Sequence, residues 1–130
     1  IDPVLERLIS SYMKTVQPVY AFGWQGGEPT LMGLDFFRKV VHLQQTYGRL
    51  GVSVSNGIQT NGTLLTDEMA SFFTEYNFLV GISLDGPADI HNQYRCRLDG
   101  EGSCSLFLKL GTPRMCVQFQ FVGLIRFFKP

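Results

Sequence analysis

Hydrophobic positions in the first hundred residues follow two periods in turn. Leu5, Leu8, Ile9, Tyr12 and Val16 recur at intervals of three and four, which predicts a helix with one apolar face. Asp2-Pro3 ahead of them reads as an N-cap with proline at the first helical position, and Pro18 is the expected stop. Val19–Trp24 is an almost continuous apolar run, as expected of a strand covered by helices on both faces. A second helix is predicted over residues 34–47. Leu34, Phe37, Val41 and Gln44 form its inner line, and Phe36, Val40 and Leu43 widen it. Gly48 and Gly51 bracket its end. Residues 52–59 read as the second strand, with Val52, Val54 and Ile58 on its apolar side. Thr66 is placed to cap a third helix, with Asp67 and Glu68 complementing the dipole of its first turn and Met69, Phe72, Phe73 and Tyr76 facing inward. Residues 78–84 read as the third strand, and a short helix is expected over 87–94.

Strand starts near residues 19, 52 and 78 lie roughly one βα unit apart. Strands alternating with helices predict an α/β fold with a parallel sheet and right-handed helical crossovers. All strand C-termini then share one edge. Three polar turns, residues 25–30, 59–62 and 83–87, are expected to converge there as a ligand site. In the first turn, Gly26 and Gly27 let the backbone approach a ligand, Pro29 stiffens the exit, and the Glu28 carboxylate suits an ammonium group. No Lys-Ser/Thr pair follows the glycines, so the turn is not a P-loop.

Composition narrows the field. The 130 residues are 45% hydrophobic and 17% charged, enough apolar material for one folded domain. Eleven basic residues balance eleven acidic ones, which gives no signal for nucleic acid or an anionic membrane. No apolar run reaches the length of a membrane span and no signal peptide is legible, so the expected setting is cytoplasmic. Cys96, Cys104 and Cys116 lack CxxC or CxxxC spacing, so they are expected to be reduced, partly buried thiols and not metal ligands. After Gly102 the character changes: residues 103–130 contain four basic residues and no acidic one. Val117, Phe119 and Phe121 alternate with Gln118 and Gln120, the period of a strand. Residues 1–103 are therefore taken as the core and 104–130 as a divergent tail.

Four motifs carry a resemblance. FGWQGGEPTLMGLDFF at 22–37, NGIQTNG at 56–62, VGISLDGP at 80–87, and His91 with Tyr94-Arg95 occur in order. Together they resemble the anaerobic sulfatase-maturating enzymes of the radical S-adenosylmethionine superfamily. The Gly26-Gly27-Glu28-Pro29 string alone is shared across that superfamily. The four in sequence are specific, and they cover about four-fifths of the chain.

The resemblance implies part of a partial (βα)6 TIM-like barrel. It implies an oxidoreductase that uses S-adenosylmethionine and a [4Fe–4S] cluster to form a 5′-deoxyadenosyl radical, which oxidises a cysteine or serine of a sulfatase to formylglycine. It implies a sulfatase polypeptide as substrate and an electron donor such as ferredoxin or flavodoxin. By resemblance, Gly26, Gly27 and the Glu28 turn hold the methionyl ammonium, Ser83 and Arg95 the carboxylate, and Gln25 and Gln59 line the same pocket. Arginine suits that task because its guanidinium binds a carboxylate bidentately. The family's CxxxCxxC motif is absent from these 130 residues, as is its catalytic aspartate. The isolated chain is thus expected to be inactive, with no catalytic or metal-ligating residue of its own. A truncated or frame-shifted gene would account for both the missing motif and the tail. Other peptide-modifying members of the superfamily, or a non-catalytic α/β module, are the alternatives.

Overall fold

The computed structural model describes residues 2–97, 99–104, 115–117 and 123–127. Helix α1 (Asp2–Met13), strand β1 (Val19–Trp24), helix α2 (Leu34–Tyr47), strand β2 (Ser53–Thr60), helix α3 (Asp67–Glu75) and strand β3 (Leu79–Ile82) alternate along the chain. Helix α4 (Ala88–Tyr94) follows, then strands β4 (Met115–Val117) and β5 (Gly123–Phe127). The sheet order is β1-β2-β3-β5-β4. β1, β2 and β3 run parallel, with Ala21 beside Ser55 and Gln59 beside Gly81. β5 lies antiparallel to β3, and β4 antiparallel to β5. The predicted parallel α/β arrangement therefore holds for the first three strands. Of the strand expected around Val117–Phe121, Val117 ends β4, and residues 118–122 lie outside the described residues.

The helices form where the pattern placed them. α2 spans the predicted residues, and Phe37, Val40, Val41, Leu43 and Gln44 are its buried positions. Gly48 ends it: a Cβ there would lie 2.8 Å from the Gln44 carbonyl oxygen. Thr66 caps α3, its hydroxyl accepting from the Met69 N–H at 3.2 Å. α1 is shorter than expected. It buries Leu5, Ile9 and Met13, and Val16 lies beyond its end, 88% exposed. Its last carbonyls find other partners before Pro18 is reached. The Met13 carbonyl accepts from the Tyr20 hydroxyl at 3.2 Å, and the Tyr12 carbonyl from the Thr15 hydroxyl at 2.7 Å.

One expectation is overturned. Among the described residues, β1 is covered on one face only. Helices α1, α2 and α3 all pack on the same side of the sheet, against Tyr20 and Phe22 of β1, Ile58 of β2, and Val80 and Ile82 of β3. The alternate positions, Val19, Ala21 and Gly23, are exposed. The apolar run misled because Val19 and Ala21 are apolar without being buried. Across the open face the side chains are small: Ala21 and Gly23 stand beside Ser55 and Gly57. This is the layout of a barrel stave, with helices outside and an inner surface left for something else.

Candidate functional site

The first turn after β1 is built around Glu28. Its Oε1 accepts from the Thr30 N–H at 3.1 Å and from the Thr30 hydroxyl. The same oxygen accepts from the Thr60 hydroxyl at 2.6 Å, and Oε2 accepts from the Asn61 N–H at 2.7 Å. Glu28 thus caps the 3-10 turn Pro29–Met32 and ties it to the end of β2. Burial works to raise its pKa, but the bonds from Asn61, Thr30 and Thr60 prevail and hold the carboxyl below its usual 4.5. The sequence reading aimed this carboxylate at a ligand ammonium. Its oxygens also accept from donors of the protein, Oε2 from the Asn61 N–H alone, so a lone pair remains on that oxygen. Gly26 and Gly27 remain open. Both have positive φ, +101° and +59°, and nothing lies within 4 Å of where a Cβ would stand on either. Gln25 beside them is exposed.

Because the folded-state pKa of Glu28 is depressed, its contribution is fully present above the unfolded value near 4.5 and is lost as pH falls through the folded value. Urea midpoints measured from pH 6 down to pH 3 are therefore expected to fall, and Glu28→Gln is expected to flatten that fall. A slope that survives the substitution would assign the acid sensitivity to other carboxylates.

The second and third turns meet directly. Gln59 Nε2 donates to the Ser83 hydroxyl at 3.0 Å, and the Ser83 N–H donates to the Thr60 carbonyl at 2.9 Å. Gly81 makes this contact feasible, since a Cβ there would lie 2.2 Å from Gln59 Oε1. Gln59 therefore lies across β3 on the open face and presents its amide beside Ser83.

Arg95 follows α4 and turns back to the third turn. Its Nε and Nη2 both donate to the Asp85 carboxylate, the Nη2 bond at 3.1 Å. The hydrogen bond and charge of Arg95 hold the Asp85 carboxyl below its usual value. The pair leaves the Nη1 side of the guanidinium turned away from Asp85. Arg95 also lines a cavity of about 760 Å³ with Asn61, Thr63, Arg97 and Ser103. Arg95 is the one predicted site residue among that cavity's lining residues. The structure so joins Gln59 to Ser83 and Glu28 to the β2 turn, and puts Arg95 and Asn61 on the wall of one cavity.

Sequence reasoning gave no role to Asp85, Thr30, Thr60 or Ser103. Asp85 carried a signal: it stands ten residues before Arg95 with one short helix between them. Cys96 is exposed and Cys104 half-buried, both free thiols. Among the described residues no group of three His, Cys, Asp or Glu side chains is arranged to hold a metal ion. No helix of the described residues is long and apolar enough to cross a membrane.

No family model matches the chain. Individual relatives do. The chain is 46% identical over 126 residues to a serine-type anaerobic sulfatase-maturating enzyme of Bacteroides thetaiotaomicron, covering 96% of this chain and 28% of that protein. That alignment is too long to end at residue 103, so it reaches into the tail. A cysteine-type enzyme of Clostridium perfringens is 44% identical over 101 residues, 75% of this chain and 27% of the relative. Among solved structures, a native anaerobic sulfatase-maturating enzyme with bound S-adenosylmethionine superposes with a TM-score of 0.79 at 39% identity, over 84% of this chain and 30% of that one. The same enzyme with S-adenosylmethionine and a peptide gives a TM-score of 0.75. The chain thus spans little more than a quarter of the curated relatives it matches. Within that span it shares 44–46% of its sequence with those relatives and the fold of the solved enzyme, and the chain belongs to the anaerobic sulfatase-maturating enzyme family.

Proposed function

We propose that the open turns at the C-terminal edge of β1–β3 bind the methionyl end of S-adenosylmethionine, within a protein that oxidises a sulfatase cysteine or serine to formylglycine. The observation that carries this reading is the fold match at 39% identity to an enzyme with that ligand bound. The geometry is compatible with it. The Gly26-Gly27 turn offers backbone that no side chain covers. Ser83 and Gln59 offer a hydroxyl and an amide on the open face. Arg95 offers the guanidinium edge that Asp85 leaves free. Gln25, exposed beside the glycines, adds a further amide at the first turn. Glu28 acts through position, fixing the glycine turn against β2. Bound there, S-adenosylmethionine would supply a radical precursor, and the protein's part is to orient it and keep water away.

The [4Fe–4S] cluster that such chemistry requires does not fit the described residues, because no suitable ligand group exists among them. A sulfatase polypeptide as substrate, ferredoxin or flavodoxin as electron donor and a cytoplasmic setting complete the reading. The inner surface of small side chains beside the site is compatible with an extended peptide.

Calorimetric titration of S-adenosylmethionine into the chain tests the reading, with Arg95→Ala as comparison. Loss of one charge-assisted contact is expected to weaken binding by about 10-fold, the low end for such contacts because Arg95 is 39% exposed. Equal affinity of parent and variant would remove Arg95 from the site. In the protein that contains this chain, formylglycine on a sulfatase peptide and 5′-deoxyadenosine should appear together.

A further inference from the structure

Two residues outside the proposed ligand contacts close a ring behind Arg95. His91 lies on α4 and is fully buried, and Ser103, 5% exposed, follows the turn after Arg95. The Asp85 N–H donates to His91 Nδ1 at 3.2 Å. That nitrogen therefore accepts, and the ring proton sits on Nε2. Nε2 lies 2.8 Å from the Ser103 hydroxyl and donates to it. The hydroxyl passes its own proton on, donating to the Arg95 carbonyl at 3.0 Å. The Ser103 N–H donates to the same carbonyl at 3.2 Å. The circuit is closed by the Asp85–Arg95 side-chain pair. Every donor has an acceptor around it, and each bond has one allowed direction. Burial holds the imidazole's pKa below its usual value, with Arg95 acting the same way and Asp85 opposing, so the neutral tautomer that this circuit needs is the favoured one.

We infer that His91 and Ser103 are positioning residues: they fix the backbones of Asp85 and Arg95 to each other, so that Asp85 holds one edge of the guanidinium and leaves the other aimed at a ligand carboxylate. Two observations distinguish this from ordinary core packing. The bonds of His91 and Ser103 described above fall on the two residues of the ion pair. The ion pair itself is more than one-third exposed on both sides, where a surface pair is normally mobile and weak. A floppy guanidinium would lose rotamer freedom on binding, and one held from behind has already lost it. The inference rests on the assignment of Arg95 to the methionyl carboxylate.

The test compares the parent chain with Ser103→Ala and Ser103→Thr. Ser103→Ala removes one hydroxyl and breaks the circuit. Ser103→Thr keeps the hydroxyl. Two ligands are titrated: S-adenosylmethionine and its decarboxylated analogue. Ser103→Ala is expected to weaken S-adenosylmethionine by about 10-fold, the analogue by less than about twofold, and Ser103→Thr to restore the parent values. Equal weakening of both ligands, or none, overturns the positioning role. A parent chain that binds both ligands alike would instead overturn the assignment of Arg95 to a carboxylate.

A ligand-free readout keeps the two apart. In 15N-labelled chain, the Arg95 Nε–H signal should be sharp and slow to exchange in the parent and in Ser103→Thr. It should broaden and exchange faster in Ser103→Ala, with urea midpoints recorded for all three. An unchanged signal overturns the inference even where no ligand binds.

Discussion

Phe73→Ala is expected to lower the unfolding free energy by about 3–5 kcal/mol, the usual range for deleting a buried phenyl ring. Phe73 is fully buried on α3, and it joins three elements. Its ring meets Phe37 of α2 edge-on at a centroid distance of 5.2 Å. It lies 5.0 Å from Phe78, which leads into β3. Phe37 and Phe78 sit on elements held by their own contacts, so neither can swing into the vacated volume, and the cavity term adds to the transfer term. Domains of this size are stable by about 5–15 kcal/mol, so the loss is a large part of the whole. Urea unfolding of parent and variant measures it. Leu50→Ala is the control: Leu50 is wholly exposed, and its replacement should shift stability by no more than about 0.5 kcal/mol. A Phe73→Ala effect below about 1 kcal/mol would mean that this aromatic cluster does not hold α2, α3 and β3 together.

Glu28→Ala is expected to destabilise by about 2–4 kcal/mol, a figure that allows for partial solvent access to the carboxylate. The donors it abandons matter more than the charge it removes. Thr30 and Thr60 are each 2% exposed, and their hydroxyls lose an acceptor that water does not readily replace. The Asn61 N–H is left without its partner as well. Glu28→Gln should be milder, about 1–2 kcal/mol, because one oxygen remains while the amide nitrogen meets a donor. Denaturation midpoints order the three proteins. If alanine proved no worse than glutamine, the orphaned threonines would not be the cause.

Much of this was legible in the sequence, and the reasons differ by element. α2 was readable to the residue because a strong apolar stripe and the glycines at its exit agree. α3 was readable because Thr66 caps it in the ordinary way. The end of α1 was not readable, because its stop comes from Tyr20 and Thr15, which bond to its last carbonyls in place of a further turn. The site divides similarly. That the turns after β1, β2 and β3 would meet followed from parallel topology alone. What each side chain would do there did not. Glu28 looked free because its partners Thr60 and Asn61 are 32 and 33 residues away in the chain. Arg95 looked free because Asp85 was read as part of a turn. His91 has no task legible in its motif, since its bond to Ser103 crosses the turn after α4.

The one-sided cladding of the sheet separates two kinds of sequence constraint by parity. In β1 and β2 the even-numbered positions face the helices, and Tyr20, Phe22, Asn56, Ile58 and Thr60 are buried there. Changes at those sites are judged by packing. Their odd-numbered neighbours, such as Ala21, Gly23, Ser53 and Ser55, contribute almost nothing to the core. A substitution there alters the shape and polarity of the inner surface while leaving the folding free energy nearly untouched. Gly81 is the exception, pinned by the side chain of Gln59 above it. Over evolutionary time, such a sheet can drift in what it accommodates one alternate residue at a time, with its stability and its specificity mutating on separate tracks.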